Sequence, residues 1–224
     1  MYKCVLFDMD GTLVNTYEGI FNSYAYAFEK MNMSFEGTKI VGKAIGAPLL
    51  EVFKTQCGLQ KEQAVQATKY YREYYARKGK YEAILYEGIK ETLRVLKEHN
   101  CIIAVTTLKK ESFAKDILKQ FELLSYFDAV YGMDEHDTLS KSDLLRRCIK
   151  NFKMDVSDTV LVGDSEYDEL GALEVGIDFL GVLYGFGFKK RQLKSQSLMI
   201  DSGHDISRSL EKMYHNKLKN TTEE

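Results

Sequence analysis

The chain has 224 residues, 45% of them hydrophobic and 29% charged, usage that supports a packed core and excludes a chain disordered throughout. Its length suits one sizeable domain, or one domain carrying a modest insert. The 31 Lys and Arg nearly balance 33 Asp and Glu, for a net charge of −2, and no segment concentrates enough positive charge to follow a nucleic-acid backbone.

The first predicted element is a buried strand from Lys3 to Phe7. The N-terminus enters it without a signal-peptide h-region, and the apolar runs are only strand-sized. A soluble, cytoplasmic protein is therefore expected, with no membrane and no nucleic acid among its partners. A tight turn follows in Asp8-Met9-Asp10-Gly11-Thr12, placing two carboxylates at a strand's C-terminal end. Ile20, Phe21, Tyr24, Ala27, Phe28 and Met31 then recur at helical spacing. A second helix is predicted near the lone proline, Pro48, with Leu49, Leu50 and Phe53, and a third from Lys61 to Arg77, ending at Lys78-Gly79. Tyr70, Tyr71, Tyr74 and Tyr75 stand on that third helix at a spacing that reads as packing, outside the site.

After Gly88 helices and strands alternate. A helix carries Ile89, Leu93 and Leu96, a strand runs from Cys101 to Val105, and a helix carries Phe113, Ile117 and Leu118. A strand at Ala129-Val130-Tyr131 precedes a helix with Leu144, Leu145, Cys148 and Ile149. The strand Thr159 to Val162, a helix opening near Glu166, and short strands at Phe179 to Leu183 and Leu198 to Ile200 complete the series. This rhythm implies an α/β fold, a doubly wound, mostly parallel sheet whose site lies beyond the strands' C-terminal ends.

The residues at those ends are Asp8, Asp10, Thr106, Thr107, Asp164 and Asp168, with Lys141 opening an intervening helix. Several carboxylates beside one lysine repel one another unless a cation sits among them, and oxygen-only ligands point to Mg²⁺. Magnesium held by few carboxylates takes remaining ligands from a substrate phosphate, which makes phosphoryl chemistry its natural partner. Cys4, Cys57, Cys101 and Cys148 show no CxxC spacing, and His99, His136, His204 and His215 have no partner carboxylate at telling spacing. Neither zinc nor a disulfide framework is suggested. Lys109, near a helix start, reads as a solvated lysine first and a phosphate ligand second.

Asp8-Met9-Asp10-Gly11-Thr12-Leu13-Val14 resembles the signature of the haloacid dehalogenase superfamily of phosphatases. Thr107, Lys141 and Gly163-Asp164-Ser165-Glu166-Tyr167-Asp168 resemble its later motifs in the right order, so the resemblance covers essentially the whole chain. It implies a Rossmann-like core at residues 1–15 and 86–224 and an inserted all-helical cap at 16–85. By the same resemblance, Asp8 attacks phosphorus and becomes an aspartyl phosphate, while Asp10 protonates the leaving oxygen and then activates water. Asp8, the backbone carbonyl of Asp10 and Asp164 would hold Mg²⁺, with Asp168 in support. Thr107 and Lys141 would bind the transferring phosphoryl oxygens, and Leu108 and Lys109 would assist, Leu108 through its backbone N–H.

Thr107 is preferred to Thr106 because Thr-x-Lys followed by Glu111, Phe113 and Ala114 is similar to the family pattern. Leu108 replaces the usual Ser or Asn, Ser165 stands where relatives often carry Arg, and Ser142-Asp143 lacks a common proline. Gly46-Ala47-Pro48-Leu49 and Tyr184-Gly185-Phe186-Gly187 resemble segments of the phosphoglycolate phosphatase-like subgroup. The stretch from Tyr71 to Gly79 and Leu85-Tyr86-Glu87-Gly88-Ile89 resemble that subgroup and its nucleotidase-like relatives. The expectation is a Mg²⁺-dependent phosphatase acting on a small phosphorylated metabolite. The alternatives are a nucleotidase or pyrophosphatase of the same family, a β-phosphoglucomutase-type phosphomutase, and a regulatory or binding protein on the same fold. Oligomeric state stays open between monomer and weak dimer.

Overall fold

The computed structural model describes residues 1–37, 44–45, 49–134, 138–188 and 197–222. Gly46, Ala47, Pro48 and His136, singled out above, lie outside these residues. Six parallel strands form the main sheet: β1 (Cys4–Phe7), β4 (Ile102–Lys110), β5 (Ala129–Met133), β6 (Thr159–Gly163), β7 (Asp178–Val182) and β8 (Leu198–Ile200). Their order, β5-β4-β1-β6-β7-β8, reverses direction beside β1. Such a reversal opens a crevice at the strands' C-terminal ends.

Strand alternation divides the core into two layers. Val5 and Phe7 pack with Ile89, Leu93 and Leu96 of α4 (Ile89–Glu98), Ile117 and Leu118 of α5 (Glu111–Gln120), and Ile206 and Leu210 of α8 (Ile206–Thr222). Cys4 and Leu6 pack on the opposite face, with Leu144, Leu145 and Cys148 of α6 (Lys141–Phe152) and Ala172 of α7 (Glu166–Val175). Because β1 is buried on both faces, it reads in sequence as a continuous apolar run.

A third apolar cluster belongs to the inserted helices α1 (Tyr17–Lys30), α2 (Leu49–Thr55) and α3 (Lys61–Arg77). Ile20, Tyr24, Ala27 and Phe28 of α1 meet Val52 and Phe53 of α2 and Ala64, Ala67 and Tyr75 of α3. Two short antiparallel strands, β2 (Val14–Asn15) and β3 (Ile84–Leu85), bring together the places where the chain leaves the sheet and returns. No apolar alternation announces two-residue strands, so sequence periodicity passes over them. Among the described residues no helix is long and apolar enough to cross a membrane.

Candidate active site

Strand register places the catalytic candidates level with one another. Phe7 of β1 pairs with Val105 of β4 and with Val162 of β6, so Asp8, Thr106 and Gly163 each stand one step past a shared line. The Asp8 backbone N–H donates to the Val162 carbonyl at 2.9 Å, holding the turn at the sheet edge. Lys141 is the first residue of α6, whose start is fixed by a capping box between Ser140 and Asp143. Its Nζ lies 2.7 Å from Asp8 Oδ1 and 2.6 Å from Asp168 Oδ1, and donates to the Thr106 carbonyl at 2.8 Å. Burial alone would lower the lysine pKa, but the carboxylates of Asp168 and Asp8 outweigh it and hold the ammonium charged. Asp8 moves the other way. Its burial and the neighbouring Asp168 and Asp164 raise its pKa well above the ordinary carboxylate range, against the opposing pull of Lys141.

Asp164 follows β6, and its Oδ2 accepts hydrogen bonds from the backbone N–H groups of Phe186 (2.6 Å) and Gly187 (3.1 Å). Gly11 makes room for it. At φ +91° the backbone is left-handed, and a Cβ there would stand 2.2 Å from Asp164 Oδ2. Burial and Asp168 push Asp164 up to about 7 despite those two donors. Asp168 is fixed by the start of α7, where Ser165 is the N-cap. The Ser165 N–H and Oγ donate to Asp168 Oδ2 at 3.1 and 2.6 Å.

One oxygen from each of Asp8, Asp164 and Asp168 lies within 4.8 Å of the others, all three residues being buried. Three buried carboxylates facing one lysine leave the cluster short of positive charge, and hard oxygen donors suit Mg²⁺. The residues therefore fit the cation that the sequence implies. The Asp10 side chain stands outside this cluster.

The Asp10 carboxylate has its own partners. Thr16 Oγ1 donates to Asp10 Oδ1 at 2.6 Å, and Lys109 Nζ approaches the same oxygen at 3.0 Å. The expectation of a solvated Lys109 is overturned: its side chain is 8% exposed and also donates to the Tyr75 hydroxyl at 2.6 Å. A helix start is usually wet, but here α3 of the insert lies over it. Burial opposes the Lys109 charge, and Asp10 and Tyr75 together more than restore it, so its pKa is raised. Thr107 lines the cavity above Asp8 together with Leu108 and Lys109, and Thr107 Oγ1 accepts the Lys109 backbone N–H at 3.2 Å. Thr106 is buried beside it, its hydroxyl unpartnered and its carbonyl bound to Lys141.

The cavity measures about 170 Å³ and reaches up to Ile20, Tyr24, Tyr71 and Tyr75 of the inserted helices and Phe113 of α5. Tyr71 and Tyr75, read from sequence as packing alone, both pack and face the cavity. Thr16 and the Phe186-Gly187 backbone also escaped the sequence reading as site elements. The resemblance of Tyr184-Gly185-Phe186-Gly187 to a family loop was the available signal for the latter.

Comparison with known proteins agrees with this geometry. The family description haloacid dehalogenase-like hydrolase matches residues 5–182. A protein named 5'-nucleotidase from Pseudomonas aeruginosa is 33% identical over 187 residues, 83% of this chain and 85% of that one. Pyrophosphatase PpaX of Halalkalibacterium halodurans is 31% identical, covering 77% of this chain and 80% of its own. The crystal structure of a predicted phosphatase from Clostridium acetobutylicum superposes with a TM-score of 0.87 at 33% identity, over 95% of this chain and 99% of that one. With acid cluster, lysine and threonine set at one sheet edge and the match running through all of them, the chain belongs to the haloacid dehalogenase-like hydrolases.

Proposed function

We propose that this protein is a Mg²⁺-dependent phosphatase of small phosphomonoesters, phosphoglycolate phosphatase-like, working through an aspartyl phosphate on Asp8, with residues 16–85 as a cap over the core. The observation that carries the reading is the surroundings of Asp8. It is buried at the sheet edge, paired with Lys141 at 2.7 Å, and shares an acidic cluster with Asp164 and Asp168.

Bound at Asp8, Asp164 and Asp168, with the Asp10 carbonyl, Mg²⁺ would supply charge neutralisation that lets an anionic ester approach a carboxylate. Asp8 then forms an O–P bond as the ester O–P bond breaks, and Asp10 gives its proton to the departing oxygen. Water next attacks the aspartyl phosphate, its proton returning to Asp10, and the Asp8 O–P bond breaks to release inorganic phosphate. Lys141 and Thr107 stabilise the charge on the transferring oxygens. Asp10 Oδ1 already accepts from Thr16 and Lys109, so Oδ2 is the oxygen left to carry the transferred proton.

Within this chemistry a second reading has specific support. The rings of Tyr24, Tyr71 and Phe113 in the cavity suit a nucleobase or similar planar leaving group, which favours nucleoside monophosphates among the candidates. The test is phosphate release from 2-phosphoglycolate, nucleoside monophosphates, sugar phosphates and pyrophosphate, with Mg²⁺ or a chelator. Asp8→Asn and chelation should each lower turnover by about a thousandfold or more. Interconversion of sugar phosphates without phosphate release would identify a mutase, and turnover by Asp8→Asn would remove the nucleophile assignment.

A further inference from the structure

The cavity holds a contact, between Lys109 and Tyr75, that the chemistry above leaves unused. Three segments distant in sequence converge on the Lys109 ammonium: Asp10 from the turn after β1, Tyr75 from α3 of the insert, and Lys109 itself from the end of β4. Tyr75 is held firmly. Its ring stacks on Tyr71 at 5.8 Å with an interplanar angle of 8°, and meets Phe113 at 5.5 Å. Lys109 Nζ also lies 4.6 Å from the Tyr75 ring centroid. The ammonium is thus fixed by a rigid aromatic side chain of the insert and in turn grips the Asp10 carboxylate of the core.

We propose that Lys109 is a positioning residue, holding Asp10 through Oδ1 so that Oδ2 faces the leaving group, and that Tyr75 ties this hold to the seating of the inserted helices. The inference rests on Asp10 being the acid and base of the reaction. Lys109 and Thr16 both hold Asp10 Oδ1, at 3.0 and 2.6 Å, which restrains the carboxylate more than a single contact would. A phosphate ligand would instead need its ammonium turned toward Asp8 and Thr107. Here the Nζ is turned toward Asp10 Oδ1, at 3.0 Å, and the Tyr75 hydroxyl, at 2.6 Å.

The experiment compares wild type, Lys109→Met and Tyr75→Phe, each saturated with Mg²⁺, on an alkyl phosphate and on p-nitrophenyl phosphate. The alkoxide needs a proton as it leaves, whereas p-nitrophenolate leaves without one. In the first turnover, Lys109→Met should slow alcohol release about tenfold or more while leaving p-nitrophenolate release within about threefold. KM should change by less than about twofold, and Tyr75→Phe should show the same selectivity at about threefold.

Equal slowing of both substrates, or a raised KM with unchanged kcat, would overturn the proposal, the latter making Lys109 a phosphate ligand. Should Lys109→Met fail to fold, Tyr75→Phe decides alone: it lacks one hydroxyl, and equal rates on the alkyl substrate overturn the coupling. Failure of the parent reading looks different. Wild type would then release nothing with Mg²⁺, or Asp8→Asn would stay active.

Discussion

Asp164 shows how a single residue depends on neighbours that have no chemistry of their own. Its carboxylate fits only because position 11 lacks a side chain and because Phe186 and Gly187 offer backbone donors. Gly11→Ala would force a side chain into a left-handed conformation and against Asp164 Oδ2. It should destabilise the fold by about 1–3 kcal/mol in urea titration and weaken the thermal stabilisation given by Mg²⁺. Unchanged stability together with an unchanged Mg²⁺ response would show that the turn relaxes freely. Asp8, Asp10 and Asp164 were legible in the sequence because each sits in a short motif at a strand end, and Lys141 because it opens the helix between two such strands. Thr16 and Tyr75 were not, because their roles depend on which side chain lies opposite them, and no local spacing encodes that.

Helix starts position two of the candidate site groups at the scale of elements. Lys141 is the first residue of α6 and Asp168 the third of α7, and both helices begin with a serine-centred capping box. Ser165 departs from the Arg common in relatives, yet as an N-cap it binds Asp168 Oδ2 through Oγ and N–H. Ser165→Ala should cost about 1 kcal/mol of stability and raise the Mg²⁺ concentration needed for half-maximal turnover several-fold. Loss of stability with no change in Mg²⁺ dependence would confine Ser165 to capping. Of the two 17-residue helices, α3 was predicted to the residue at Lys61 and Arg77, because amphipathic spacing and the following Lys78-Gly79 mark it, whereas α8 was not predicted. Strand β4 runs on to Lys110, past the predicted end at Val105, since its later residues pair irregularly with β5 and lose the apolar signal.

At the scale of the whole molecule, buried and half-buried tyrosines pack in the apolar clusters of both the sheet and the inserted helices. Tyr2, Tyr24, Tyr71, Tyr86 and Tyr184 all have phenol pKa values raised primarily by burial. Because the folded values lie above the unfolded value of about 10, their contribution to stability is complete below that pH and is lost as pH rises through it and beyond. Stability should therefore be flat near neutrality and fall above about pH 10, with tyrosinate absorbance rising in the same cooperative step as helical circular dichroism is lost. Ionisation of all tyrosines before any loss of helix would contradict their burial.

The sequence by itself determined the order of the six main-sheet strands and of the helices between them, the parallel sheet and the acidic groups at its edge, because periodicity and short motifs are local properties of the chain. Only the tertiary structure decided that Lys109 is buried between Asp10 and Tyr75, and that the rings of the inserted helices face the cavity. The contacts of Lys109 with Tyr75 and Asp10 join residues 34 and 99 positions apart, and the one to Tyr75 exists only once the insert packs over the sheet.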